Sequence, residues 1–228
     1  MNGLSIKETL TLMRESARNK NSESGKMPTA LGICGSARKR GSTATLLKEV
    51  VNAIGVDSEI IWLSDLNIKF CLGCQSCYRK RGPCVTQDDM AVLLDKFIAA
   101  RAIVMASPNY YYTVSGLMKN MFDRSVSWNY IGIGEDSGEA WLGSQPLVDK
   151  VGGIVITQAA YGAEMVEYAF KSFEEFSGLR FVGTVIASVG EKHVTDYPEY
   201  LEEGRNLGRK IRKELGLEEG CVGAKERR

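Results

Sequence analysis

The sequence predicts an α/β domain built on one doubly wound parallel sheet. Three observations lead there. From Pro28 onward, short apolar or β-branched runs alternate with segments whose apolar residues recur at helical spacing. Five such strand–helix pairs follow one another, the mark of βαβ units and a parallel sheet. A chain of 228 residues can bury one full-sized core with too little left for a second.

The strands are expected at Ala30 to Cys34, Glu59 to Leu63, Ile103 to Ala106, Gly153 to Thr157 and Phe181 to Ala187. The first helix places Leu46, Leu47, Val50, Val51 and Ile54 on one face. A second runs from Met90 to Ala99 behind Asp88 and Asp89, either of which can cap its exposed N–H groups. A third spans about Ser115 to Ser127. The fourth turns Met165, Val166, Ala169, Phe170 and Phe173 inward, and the last, about Tyr197 to Leu215, turns Leu201, Leu207 and Ile211 inward. Residues 1–27 read as an N-terminal helical extension (Ser5 to Arg18) and polar linker. Residues 28–216 form the domain, and 217–228 a flexible tail.

Charge is balanced, 29 Lys+Arg against 28 Asp+Glu, so no field favours nucleic acid or an anionic membrane as a partner. No apolar run approaches the roughly 20 residues of a membrane helix. Residues 1–27 lack the apolar core and cleavage site of a secretory signal, which leads to the expectation of a cytoplasmic protein. In that reducing compartment, six cysteines favour metal or redox chemistry over a disulfide framework, since four lie between Cys71 and Cys84. The only histidine, His193, makes schemes with a His base beside Ser or Cys unattractive.

In doubly wound sheets ligands sit outside the carboxyl ends of the strands, which directs attention to the loops. After strand one comes Gly35-Ser36-Ala37-Arg38-Lys39-Arg40-Gly41-Ser42-Thr43-Ala44-Thr45, rich in hydroxyls and positive charge and opening a helix. Helix N-terminal N–H groups with Ser and Thr hydroxyls make an anion site, although a polar turn with a helix cap would look the same. The spacing is neither a Walker A loop nor GxGxxG. Strand three ends in Ser107-Pro108-Asn109-Tyr110-Tyr111-Tyr112, where aromatic side chains beside backbone donors suit a flat heterocycle or serve in packing. Strand four ends in Thr157-Gln158-Ala159-Ala160-Tyr161-Gly162. Thr157, Gln158 and Gly162 are ligand candidates there mainly by location.

Beyond strand two, Cys71, Cys74 and Cys77 stand at C-x2-C-x2-C spacing, with Cys84 after six intervening residues. One short loop with three successive i+3 thiolates and a fourth nearby suits a [4Fe-4S] cube. Zinc, usually held by two separated knuckles, and uncoordinated or disulfide-linked cysteines are the alternatives. Cys34, in an apolar strand, reads as a small buried hydrophobe, and Cys221 in the charged tail as incidental.

The first loop resembles the phosphate loop of the NADPH-dependent FMN reductase group of flavodoxin-like proteins, G-S-x-R followed by S/N-T. By that resemblance Ser36, Arg38, Ser42, Thr43 and Thr45 hold the FMN phosphate, and the sheet takes the flavodoxin-like order 2-1-3-4-5 with helices on both faces. The S-P-x-Y pattern, with Lys119 and then Asp123-Arg124 behind it, is similar to the same group. It assigns Ser107, Pro108, Asn109, Tyr110 and Tyr111 to the isoalloxazine ring, and Lys119, Asp123 and Arg124 to fixing the helix or an intersubunit contact.

The stretch Cys71 to Met90 resembles the iron-sulfur flavoprotein family, and the resemblance spans roughly Pro28 to Val189. It implies that the four cysteines ligate a [4Fe-4S] cluster exchanging electrons with FMN, with ferredoxin or a similar carrier as partner, in a homodimer or homotetramer. The N-terminal extension and the segment Trp128 to Lys150 depart from that family's pattern. No nicotinamide motif is visible, yet NAD(P)H remains a candidate donor, because flavodoxin-like reductases commonly stack it on the flavin. An NAD(P)H-dependent FMN or quinone reductase and a zinc-stabilised binding module are the competing functions.

Overall fold

Residues 29–131 and 145–217 are described by the computed structural model. The expected N-terminal helix and linker and the tail with Cys221 lie outside the described residues.

Five parallel strands form one sheet: β1 (Ala30–Cys34), β2 (Ser58–Trp62), β3 (Ala102–Pro108), β4 (Val151–Gln158) and β5 (Arg180–Ser188). Their spatial order is β2-β1-β3-β4-β5, the expected flavodoxin-like arrangement. Every residue of β1 and β3 is buried, as continuous apolar runs covered on both faces require. The edge strands β2 and β5 are only partly buried along their length.

Helices α1 (Ser42–Ile54), α2 (Ser76–Lys80), α3 (Met90–Ala99), α4 (Gly116–Ser125), α5 (Ala163–Ser177) and α6 (Pro198–Glu214) complete the fold. Side chains of α1 and α6 pack with Ala30, Cys34, Val104 and Val155 on one face of the sheet. Those of α3, α4 and α5 pack with Leu31, Ile33, Ile103, Met105, Ile154 and Ile156 on the other. Each face thus closes its own half of the core.

Helix α6 lies directly on α1. A Cβ on Gly208 would stand 2.3 Å from the Val50 carbonyl oxygen, so only glycine permits this approach. Gly208→Val is expected to destabilise the domain by at least about 2 kcal/mol through overpacking, read as a lower urea midpoint.

The structure moves several boundaries. Strands β3 and β4 are longer than expected, because pairing continues to Pro108 and Gln158. The third helix stops as α-helix at Ser125 and tightens into a 3₁₀ turn over Val126–Tyr130. Helix α2, within the cysteine loop, was not expected. Met165 does not face the core: it is 55 % exposed. With Tyr168 and Phe176 it forms an outward stripe at helical spacing along α5, separate from the inward Val166, Phe170 and Phe173.

Candidate functional site: a loop cluster at the carboxyl edge of the sheet

Parallel strands all leave the sheet in one direction, so the loops after β1, β3 and β4 gather at one edge. Helix α1 starts at Ser42, and no side chain caps its N-terminus. Its first N–H groups therefore remain for an anion. Arg38 is exposed beside them, while Ser36, Ser42 and Thr43 are buried.

Three of the candidate hydroxyls also brace the loop. The Arg38 N–H donates to Ser36 Oγ at 3.2 Å. The hydroxyls of Thr43 and Thr157 share a hydrogen bond of 2.6 Å, tying the first loop to the end of β4. Ser42 Oγ accepts from the Val194 N–H at 3.1 Å.

Sequence reasoning missed the residue behind this loop. His193 Nε2 lies 3.1 Å from the Arg40 carbonyl. A carbonyl only accepts, so Nε2 carries the proton, while Nδ1 accepts from the Thr195 N–H. The imidazole thus braces the loop after β1, and Thr45 Oγ1 approaches the same ring at 3.5 Å. No local motif could reveal a partner 153 positions away.

The β3 loop is a tight hairpin. Tyr110 and Thr113 exchange backbone hydrogen bonds of 3.0 and 3.3 Å around Tyr111 and Tyr112, whose φ values are +52° and +63°. Two consecutive left-handed residues define a turn that normally takes Asn-Gly. Tyrosines there hold strain, of the sort that gathers at ligand sites. Tyr111 is 95 % exposed, and Tyr112 packs against Tyr161 with ring centroids 5.9 Å apart. Gly162, at φ +93°, makes room: a Cβ there would meet the Tyr112 ring at 2.4 Å.

Asn109 is fixed by its Nδ2, which donates to Gln158 Oε1 and the Tyr161 carbonyl, both at 3.1 Å. Its Oδ1 is buried and has no partner, an acceptor left over for a donor group. Ser107 is committed elsewhere: fully buried, its Oγ accepts from the Ser115 N–H at 2.9 Å and donates to the Pro108 carbonyl. An uncapped helix N-terminus, an unpartnered amide oxygen and an exposed aromatic shelf on one edge fit a phosphate-bearing heterocycle.

Replacing the tyrosine pair by Asn-Gly (Y111N/Y112G) is expected to raise unfolding free energy by roughly 1–3 kcal/mol as the turn relaxes. If this shelf takes the flavin that the sequence resemblance implies, flavin affinity should fall at the same time. Urea unfolding and FMN fluorescence titration measure the two effects.

The cysteine loop leaves after β2. All four thiols are free, Cys71 and Cys74 exposed, Cys77 and Cys84 half-buried. Burial pushes the Cys77 thiol up, and the charges of Cys84 and Cys71 add to that rise. Ser76, whose Oγ lies 3.4 Å from the Cys74 sulfur, holds that thiol below its ordinary value. Among the described residues, no group of three or more His, Cys, Asp or Glu side chains is gathered tightly enough to hold a metal ion. The donor set itself, four thiols in one loop and no disulfide, is the chemistry an iron-sulfur centre takes.

The base of that loop is closed by a buried clasp. Asp88, its side chain fully buried, accepts from the N–H groups of Lys69 and Met90 at 2.9 and 3.1 Å. Asp89 accepts from the Asn67 N–H at 2.7 Å. From α4, Arg124 forms a two-pronged ion pair with Asp88 and donates to the Lys69 and Thr86 carbonyls. Burial opposes the Asp88 charge, but Arg124 and the two N–H donors outweigh it and hold the carboxyl below its ordinary 3.8. Lys119 and Asp123, by contrast, pair with each other at the surface of α4.

The NADPH-dependent FMN reductase family model matches residues 28–194. An iron-sulfur flavoprotein of Methanocaldococcus jannaschii is 32 % identical over 195 residues, covering 79 % of this chain and 94 % of the relative. An iron-sulfur flavoprotein of Archaeoglobus fulgidus is 41 % identical over 97 residues, 42 % of this chain and 47 % of the relative.

Among solved structures, a flavone reductase superposes with a TM-score of 0.62 at 20 % identity, over 82 % of this chain and 62 % of its own. The NAD(P)H:quinone oxidoreductase of Methanothermobacter marburgensis gives 0.60 at 13 % identity, over 82 % and 100 %. At such identities the structures establish a shared fold, whereas the matches in sequence establish kinship. The chain belongs to the iron-sulfur flavoprotein family, within the flavodoxin-like NADPH-dependent FMN reductases.

Proposed function

We propose that the chain is an electron-transfer oxidoreductase that holds FMN on the loops after β1, β3 and β4 and a [4Fe-4S] cluster on Cys71, Cys74, Cys77 and Cys84. The observation that carries it is a ligand-shaped edge, with an uncapped α1 and an unpartnered Asn109 Oδ1, on the same chain as a loop of four free thiols. When bound, FMN supplies one- and two-electron chemistry and the cluster one-electron chemistry, with electrons passing to ferredoxin or a similar carrier.

The residues of the chain bind and orient. Backbone N–H groups of Ser42 and Thr43, with Ser36, Arg38 and Thr45, take the phosphate. Pro108, Asn109, Tyr110 and Tyr111 meet the ring from one side, Ser107 supporting that loop from beneath. Thr157, Gln158 and Gly162 meet it from the other. No side chain is assigned as a catalytic acid or base, since the hydride and electron chemistry belongs to the cofactors.

Reduction by NAD(P)H is a second reading, favoured by the open shelf of Tyr111 and Tyr161 and by the family match. A homodimer or homotetramer is part of the same proposal, with the outward stripe of α5 as the surface a second copy would cover. Iron, zinc and flavin analysis of anaerobically isolated protein, followed by mixing with NAD(P)H, tests both readings. The proposal expects about four iron and one FMN per chain. Colourless, zinc-containing protein overturns it, and bleaching of the flavin by NAD(P)H alone favours the second reading. Sedimentation velocity reads the oligomer.

A further inference from the structure

The cysteine loop is strongly positive in a chain that is nearly neutral. Residues 66–87 include Lys69, Arg79, Lys80 and Arg81 and no carboxylate. Of the carboxylates that flank this stretch, Asp65 already pairs with Lys39, and Asp88 with Arg124 inside the clasp. Three of the four cations are drawn onto the loop itself. Lys69 Nζ donates to the Gln87 carbonyl at 3.3 Å, Arg79 Nη2 donates to the Cys74 carbonyl at 2.7 Å, and the Arg81 guanidinium lies over the Tyr78 ring at 4.7 Å. Lys80 stands exposed at the end of α2.

The same stretch leaves apolar side chains in water. Phe70 and Leu72 are 77 % and 81 % exposed, and Tyr78 and Val85 about half. Large apolar groups set among cations on one loop have the composition of an interface rather than of a solvated turn. A surface of that size suits the small, transient contacts that electron carriers make. Charge decides among the possible occupants. A second copy meeting this loop through its own equivalent would set four cations against four, whereas a negatively charged surface would be attracted and oriented by them.

We infer that the exposed part of the cysteine loop is a docking surface for an acidic carrier protein. Phe70 and Leu72 supply the apolar contact, and Lys69, Arg79, Lys80 and Arg81 supply the charge that selects the partner. This rests on the electron-transfer reading proposed above, and it gives that reading a partner of defined chemistry.

The test is calorimetric titration of the full chain with a strongly acidic two-cluster ferredoxin. The native chain is compared with K69E/K80E, which changes two exposed lysines and brings residues 66–87 from four net positive charges to none, and with F70S/L72S. Arg79 and Arg81 stay in place because they brace the loop. Circular dichroism checks that each variant is folded, sedimentation velocity reads its oligomeric state, and polyuridylate is titrated as a competing polyanion.

Native affinity for the ferredoxin is expected to fall at least about tenfold between roughly 50 and 500 mM salt, as the opposed charges are screened. K69E/K80E should bind at least about tenfold more weakly at low salt and lose most of that salt dependence. F70S/L72S should weaken binding by a factor that salt leaves unchanged. Equal affinity in native chain and K69E/K80E would overturn the assignment. So would an oligomer that F70S/L72S turns into monomer, which gives the patch to a second copy, or lysine-dependent binding of polyuridylate tighter than that of the ferredoxin. Iron-loaded native chain that ignores the ferredoxin overturns the docking surface alone. Native chain that takes up no iron yet binds the ferredoxin with this salt dependence overturns the iron-sulfur reading alone.

Discussion

On the proposed iron-sulfur reading, which expects about four iron in the native chain, Cys77→Ser protein isolated without oxygen is expected to hold less than about one iron per chain and to keep its FMN. In the sequence Cys77 lies between the C-x2-C pair Cys71 and Cys74 and the more distant Cys84. A serine hydroxyl is a poor ligand for iron in place of thiolate, and the remaining three cysteines cannot complete a cube. The hydrogen bonds of the β1 loop and of Asn109 run to Thr157, Gln158, Tyr161, His193 and Val194 rather than to the cysteine loop, which is why flavin should remain. Iron assay and flavin fluorescence on the same sample check this result; loss of FMN with the iron would show that the two sites form one cooperative unit.

The second large effect concerns Asp88. Asp88→Asn leaves the Arg124 guanidinium buried without its counter-ion, which should cost about 3–5 kcal/mol of stability near neutral pH. The pH dependence has a definite sign. The folded-state value of Asp88 lies below its ordinary 3.8. Its contribution is therefore complete above that value and disappears as pH falls through the lower folded value. The gap between native protein and variant should be widest at pH 5–7 and narrow below about pH 3.8, because acid neutralises the carboxylate that the variant lacks. Urea unfolding of both proteins at a series of pH values measures it. A gap that stays constant into acid would mean that the charge of Asp88 contributes nothing.

Much of this fold is legible in the residues, for reasons that differ by element. Strands β1 and β3 are buried on both faces, so their apolar runs stand out. Helix α1 declares itself because Leu46, Leu47, Val50, Val51 and Ile54 are all buried on one side. Strand ends are less legible: β3 extends through Ser107 and Pro108 because β4 pairs with them, which no local propensity encodes. Helix α2 has five residues, too few for a period to appear. Met165 misleads because α5 carries two apolar stripes, and periodicity does not say which of them meets the sheet.

The site divides the same way. Glycines, hydroxyls and cysteines at fixed spacing mark the loops, since ligand chemistry demands those residue types close together. Supporting contacts leave no such mark. His193 under the β1 loop and Arg124 under the cysteine loop act across 153 and 36 positions. Ser107 matches a ligand motif, yet its hydroxyl is spent on Ser115 and Pro108 inside the protein.

The bonds from His193 and Val194 to the first loop have a thermodynamic consequence. They attach the connection between β5 and α6, late in the chain, to the turn that opens the domain. Whatever anion settles on that turn must therefore also slow the fraying of the carboxyl-terminal third, by linkage rather than by contact. Cofactor occupancy and the anchoring of α6 become two expressions of a single equilibrium.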